Sequence, residues 1–445
     1  MKFYNRQKEL KALNGWWSEK KSNLIIVYGK RRVGKTALCL EFIKNKSSVY
    51  FLSERLDIKL QLKKLSCQIG EFFNDDYTAK YGIDGWEQLF KYIAQKNKKF
   101  VLVIDEFPYL ADAEPGISSI FQKGWDLYLK DSKVDLILCG SSIGMMEEHT
   151  LVHKSPLYGR RSGQILVHPF SVFDLSDIFP KKSFEDKIVV YSIVGGTITY
   201  LKYFIEEKNI WKAAGKYMLS KEQFLFEEAE FLLREELREP RNYFSILLAL
   251  SMGKRKLGEI INGTGFDKSS LSSYLAILDQ LRLTEKETPI TEKYPEKSRK
   301  GLYRIRDEYF EFWFRFIFNN KRLLEEGKSR EVLSIIKNSI IDLTAKNYEK
   351  FAIEFIKKEY PNFNRAGKWW DKNEEIDVVG INNETKEIIF GEVKWSSKKV
   401  GVDVYLNLKR KVELVDWNKE NRKECYILFS KSGFTEDMMK LAKKE

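Results

Sequence analysis

The sequence predicts an α/β protein built around a doubly wound parallel sheet. Short apolar runs at 24–27, 49–52, 100–107, 134–139 and 164–167 read as strands, with helical patterns at 59–73 and 86–96 between them. Runs that are apolar throughout belong to strands buried on both faces, the condition inside a parallel sheet covered by helices. Strands and helices alternate along this part of the chain, the order that βαβ units impose.

The first strand leads into Gly29, Lys30, Arg31, Arg32, Val33, Gly34, Lys35 and Thr36, a G-x-x-x-x-G-K-T spacing. Glycine lets the backbone curl so that its N–H groups face phosphate oxygens, and the helix that follows favours negative charge at its N-terminus. Lys35 would reach the β/γ-phosphates and Thr36 would ligate Mg²⁺, so ATP and Mg²⁺ are the expected cofactors. The strand at 100–107 ends in Asp105 and Glu106. Asp105 is placed to hold the Mg²⁺ shell and Glu106 to polarise the attacking water, although paired acids there also suit a helix cap. Residues 3–17 have helical spacing with Asn5 as the expected N-cap, and this helix is expected beside the adenine.

At 445 residues, with 43% hydrophobic and 14% aromatic residues, the chain is long and apolar enough for about three folded domains. Lys+Arg 77 against Asp+Glu 64 gives +13, with twelve basic residues from Lys2 to Lys46 against Glu9, Glu19 and Glu41. A polyanion such as DNA is an expected partner, and plain solubility accounts for the same charge equally well. Cys39, Cys67, Cys139 and Cys425 form no C-x-x-C pair, against both a disulfide framework and a zinc site. His149, His153 and His168 lack thiol and carboxylate companions. With neither a long apolar span nor an apolar leader, the expected place is the cytoplasm, with no membrane partner.

The loop at 29–36, the single strand between it and Asp105, the Gly140-Ser141-Ser142 end of the fourth strand and LYGRR at 157–161 together resemble the archaeal-type ATPase family, within the AAA+ or related STAND P-loop NTPases. The resemblance implies that Ser141 is a polar sensor of the γ-phosphate or water, and that Arg160 or Arg161 is an arginine finger for a neighbouring subunit, hence a homo-oligomer. The family places a proline after a glycine pair, where this chain has Thr197, Ile198 and Thr199 after Gly195 and Gly196. Close helix packing is the expected role of those glycines.

Further on, helices at 243–251 and 257–261, a longer one capped by Asp267 and a strand at 301–305 form a winged helix-turn-helix, by pattern and by resemblance. Its basic residues, Lys293, Lys297, Arg299, Lys300 and Arg304, gather in the wing, which favours phosphate contact over base reading. Tyr348, Phe351, Ala352, Phe355 and Ile356 then share a helix face, and strands at 375–381 and 387–395 are joined through the turn residues Asn382, Asn383, Glu384 and Thr385. This end resembles the PD-(D/E)XK nuclease core. The resemblance implies Mg²⁺ held by Asp377 and Glu392, a shell completed by Glu349, and Lys394 steadying water or phosphate. The expected organisation is an ATPase core at 1–169, a helical lid at 170–240, the winged helix at 241–307, a helical linker at 308–344 and an α/β nuclease-like domain at 345–445. The function implied is ATP hydrolysis coupled to DNA binding and Mg²⁺-dependent cleavage. Its alternative is a nucleotide-controlled switch whose last domain only binds a partner.

Overall fold

The computed structural model describes residues 3–237 and 239–445. Lys2 of the basic N-terminal stretch and Arg238 of the expected lid therefore lie outside the described residues. The chain divides into two compact units, Met1–Phe170 with Thr197–Thr199, and Ser171–Gly196 with Tyr200–Glu445.

The first unit holds a five-stranded parallel sheet: β1 (Asn23–Tyr28), β2 (Ser48–Leu52), β3 (Phe100–Asp105), β4 (Val134–Gly140) and β5 (Gly163–Leu166), in the order β2-β3-β4-β1-β5. Strand alternation divides the apolar runs between two cores. Leu24, Ile26, Phe100, Leu102, Ile104, Leu136 and Leu138 enter one, and Ile25, Val27, Val101, Val103, Ile137 and Cys139 enter the other. Every residue of β1, β3 and β4 is buried, which is why these strands read as continuous apolar runs.

The N-terminal helix spans Gln7–Ser18, and its N-cap is Arg6 in the left-handed region at φ 73, not Asn5. Arg6 is buried and gives its guanidinium to Val33 O at 3.0 Å and His168 O at 2.7 Å. Long-range hydrogen bonds thus override the local capping preference and tie this helix to the glycine loop.

In the second unit, helices Pro240–Ser251, Leu257–Thr264 and Lys268–Gln280 precede the hairpin β6 (Thr284–Glu287) and β7 (Leu302–Ile305). Asp267 caps the third helix as expected, accepting from the N–H groups of Ser269 and Ser270. A four-stranded sheet follows: β8 (Arg365–Asp371), β9 (Glu374–Asn382), β10 (Glu387–Lys394) and β11 (Lys423–Ser430), in the order β11-β10-β9-β8. The helices Ile341–Glu359 and Val402–Val412 both pack on this sheet.

The wing is not a free loop. Ile290 N donates to Lys368 O of β8 at 2.8 Å, Arg365 returns a bond to Ile290 O at 2.6 Å, and Trp370 Nε1 donates to Lys300 O at 3.1 Å. Ile290 also packs on the apolar core of the four-stranded sheet. The wing thereby covers the edge of β8, whose open N–H and C=O groups would otherwise invite another strand.

Candidate functional site

The glycine loop ends β1 and opens the helix Lys35–Ile43. Gly29 is at φ 151, and a Cβ there would fall 2.4 Å from Val167 O; Gly34, at φ 98, is the left-handed N-cap of the helix. Both positions need glycine. Lys30 and Arg31 are half-buried, and Arg32 has a positive φ of 68. The Arg32 carbonyl accepts from Thr199 Oγ1 at 3.3 Å, and Ile198 lies 3.6 Å from where a Gly34 Cβ would stand. The turn after the glycine pair therefore meets the loop despite its missing proline. Gly195 is the C-cap of the helix Phe184–Val194 at φ 61, a conformation that favours glycine, so its role is to end that helix rather than the close helix packing expected.

Lys35 is buried and donates to Lys30 O at 3.0 Å. Burial lowers the pKa of its ammonium, a shift opposed by Cys139, Glu106 and Asp105. Its bond to the loop's own carbonyl is one that a phosphate oxygen would take over. Thr36 Oγ1 donates to Asp105 Oδ2 at 2.7 Å, and Asp105 Oδ1 accepts from Glu106 N at 2.9 Å. Sequence reasoning missed Tyr50, whose hydroxyl donates to the same Asp105 Oδ2 at 2.7 Å. Glu106 sits at φ 53, and its Oε2 accepts from Ser141 Oγ at 2.9 Å and Ser141 N at 3.2 Å. Ser141, 35 residues along the chain from Glu106, is brought to the Asp105-Glu106 pair because β3 and β4 are neighbours and end together.

Arg160 and Arg161 are tied within their own chain. Arg160 grips Asp126 with Nε and Nη2 at 3.0 to 3.3 Å, and Arg161 Nη1 donates to the carbonyls of Thr150, Leu151 and Tyr158 at 3.2 to 3.4 Å. A reach into a neighbouring subunit would have to break these bonds.

In the C-terminal sheet, pairing of β9 with β10 stops at Gly391 opposite Val378. Beyond it, Val393 N donates at 2.8 Å to Asp377 Oδ2 instead of to a strand carbonyl. The register of β8 against β9 also shifts there, from Gly367 opposite Val379 to Trp369 opposite Ile376. β8 advances two residues while β9 advances three, so β9 has an extra residue at 377–378, a bulge that re-aims Asp377. Burial raises the Asp377 carboxyl to about 7, with the neighbouring charges of Glu349 and Glu392 adding to it.

Lysines hold the other two carboxylates. Glu392 accepts from Lys394 at 2.7 Å and, with both oxygens, from Lys411 at 3.1 and 3.2 Å; Glu349 accepts from Lys368, which also reaches Glu375 at 3.0 Å. Burial works against charge on Lys368, but Glu349 and Glu375 carry its pKa above the ordinary lysine value. Lys368 and Lys411 carry no signal in a lysine-rich sequence. Among the described residues, no group of three or more His, Cys, Asp or Glu is gathered as a metal-holding cluster. The oxygen donors nevertheless suit Mg²⁺, whether Thr36 with Asp105 or Asp377 with its neighbours, and a cation would offset the Glu349 and Glu392 charges that add to the effect of burial on Asp377.

Two wing cations expected to face phosphate, Arg304 and the exposed Lys300, already have carboxylate partners within the chain. Arg304 is held by Glu285 at 2.6 Å and Glu287 at 2.9 Å, and Lys300 by Asp371 at 2.9 Å and Glu292 at 3.7 Å. Lys293, Lys297 and Arg299 remain exposed.

A glycine loop between β1 and its following helix, with a carboxylate pair at the end of β3 on the far side of β4, defines a P-loop nucleoside triphosphatase. Comparison with known proteins agrees: residues 3–204 match an ATPase domain predominantly from Archaea, and 313–405 match a family described as Archaea bacterial proteins of unknown function. An uncharacterized protein of Methanocaldococcus jannaschii is 35% identical over 421 residues, covering 93% of this chain and 92% of its own. An uncharacterized ATP-binding protein of the same organism is 24% identical over 301 residues, 54% of this chain and 78% of its own. The Walker-type ATPase of Pyrococcus abyssi shares the fold at TM-score 0.53 and 20% identity, over 70% of this chain and 96% of that one. The chain belongs to the archaeal-type ATPase family. No helix among the described residues is long and apolar enough to cross a membrane.

Proposed function

We propose that this protein binds and hydrolyses ATP at residues 29–36, Asp105, Glu106 and Ser141, and that its second unit acts on DNA. The observation that carries the ATPase reading is the hydrogen-bonded set of Thr36, Asp105, Glu106 and Ser141 at one end of the parallel sheet. Lys35 leaves Lys30 O for the β/γ-phosphates, and the loop N–H groups hold the remaining oxygens. Glu106 leaves Ser141 to accept a proton from the attacking water, while Ser141 turns its hydroxyl to the γ-phosphate. Thr36 and Asp105 would hold Mg²⁺, which supplies charge neutralisation on the phosphates.

Organisation into core, lid, winged helix, linker and nuclease-like domain at the boundaries given above is part of this reading. So is assembly into a homo-oligomer. In the C-terminal sheet, Asp377, Glu392 and Glu349 would hold Mg²⁺ once Lys368 and Lys411 release their carboxylates, and Lys394 would steady the phosphodiester. One observation favours a second reading, a nucleotide-controlled switch with a catalytically inert last domain: both Glu349 and Glu392 already have ammonium partners. The deciding experiment is cleavage of single- and double-stranded DNA in Mg²⁺ or Mn²⁺, with and without ATP, against an Asp377→Ala control. Loss of cleavage in the variant supports the nuclease reading; intact DNA under every condition with wild-type protein leaves the switch.

A further inference from the structure

The strand that delivers Glu392 and Lys394 ends there, and the next residue is Trp395. Its indole is half-buried and meets Tyr348 in a T-shaped contact, 5.3 Å between centroids, on the helix whose next residue is Glu349. The ammonium of Lys431, an exposed residue, lies 4.9 Å from the Trp395 ring centroid. A solvated lysine over a ring marks a face that looks outward rather than into a core.

The loops that carry these groups are tied together. Lys431 N donates to Lys394 O at 3.1 Å, Ser432 Oγ to Ser396 O at 2.5 Å and Ser396 Oγ to Lys398 O at 3.1 Å. The indole is thus held in place beside the E-x-K strand. Lys398, Lys399 and Lys431 are exposed and, among the described residues, enter no ion pair, unlike Lys300 and Arg304 of the wing.

We infer that this patch is a platform for unpaired nucleotides of a DNA strand. It rests on the reading that the C-terminal domain acts on DNA, and it names the form of DNA taken. A base stacks on the outward face of Trp395 and displaces the Lys431 ammonium, which moves to a flanking phosphate alongside Lys398 and Lys399. Base stacking on an indole outweighs an exposed cation–π contact, and the displaced ammonium regains a charge partner, so the exchange is favourable. The neighbouring phosphodiester is then carried toward Lys394. A base inside a duplex is already stacked on both faces and cannot make this contact, so the patch selects single strands, tails or flaps.

The test is fluorescence anisotropy of the full chain with labelled oligothymidylate and with a blunt duplex of equal length, in EDTA so that nothing is cut. Wild type should prefer the single strand, and Trp395→Leu should weaken that binding by about tenfold or more while leaving duplex binding unchanged. Replacing Lys398, Lys399 and Lys431 by Gln should flatten the single-strand salt dependence by about two log units per log unit of salt. These exposed positions carry the test alone if Trp395→Leu proves misfolded by circular dichroism. Equal single-strand affinity in a folded Trp395→Leu variant, an unchanged salt slope or a wild-type preference for duplex would overturn the inference. Cleavage assayed in parallel separates the two readings. Trp395-dependent binding without cleavage upholds the platform and removes the nuclease, whereas cleavage indifferent to Trp395 and to strandedness does the reverse.

Discussion

Tyr50→Phe should raise the Mg²⁺ requirement of ATP turnover without weakening metal-free nucleotide binding. The Asp105 carboxylate is oriented by three donors: Thr36 Oγ1 at 2.7 Å and Tyr50 OH at 2.7 Å on Oδ2, and Glu106 N at 2.9 Å on Oδ1. Burial, and after it Asp105, keeps the Tyr50 phenol protonated, so it stays a donor. A hydrogen bond to a charged group contributes roughly 1.5–3 kcal/mol. Thr36 and Glu106 still hold Asp105 in the variant, so the loss belongs at the lower end, about a tenfold change in an equilibrium constant. Phenylalanine keeps the ring, so no cavity opens. Turnover titrated with Mg²⁺ at fixed ATP should show half-saturation displaced about tenfold upward, while a fluorescent nucleotide in EDTA binds as before. An unchanged Mg²⁺ midpoint would refute Tyr50 as the residue that orients Asp105.

Burial raises the Asp135 carboxyl to about 6, and Asn23 bonds only partly oppose this. The folded state therefore holds that proton longer than the unfolded chain. Its contribution is fully present below about pH 4 and is lost as pH rises through about 6, by up to about 3 kcal/mol. Urea midpoints across that window should fall with pH for wild type and flatten for Asp135→Asn. At the wing, neutralising Lys293, Lys297 and Arg299 should flatten the duplex salt slope by about two to three units, whereas Lys300→Gln should move it by less than about one because Asp371 already holds that ammonium; equal effects would show that the Lys300–Asp371 pair opens on DNA. Asp377→Ala should leave ATP turnover within about twofold of wild type, since independent sites behave additively.

What could be read from the sequence follows the range of the forces involved. β1, β3 and β4 were legible because burial on both faces leaves an uninterrupted apolar run, and the loop because Gly29 and Gly34 occupy backbone conformations that favour glycine. β8 was not read: its RAGKWWD segment alternates poorly, since Gly367 faces Ile290 of the wing and Lys368 is drawn into the carboxylates. Tyr50 looks like any strand aromatic until β2 is set beside β3, and Lys411 like any helix lysine until its helix is laid on β10. Arg6 took the cap expected of Asn5 because its partners lie far along the chain. Counting charge overstated the wing, because composition does not reveal which cations are already paired.

If Lys35 and Glu106 act at different steps of ATP hydrolysis, steady-state ATP turnover with Mg²⁺ together with calorimetric ATP binding separates them in wild type, Lys35→Ala and Glu106→Gln. Wild type should turn over. Lys35→Ala should lose binding, and Glu106→Gln should bind as wild type while turnover falls by about a hundredfold or more. Wild-type binding by Lys35→Ala, or wild-type turnover by Glu106→Gln, would contradict the account.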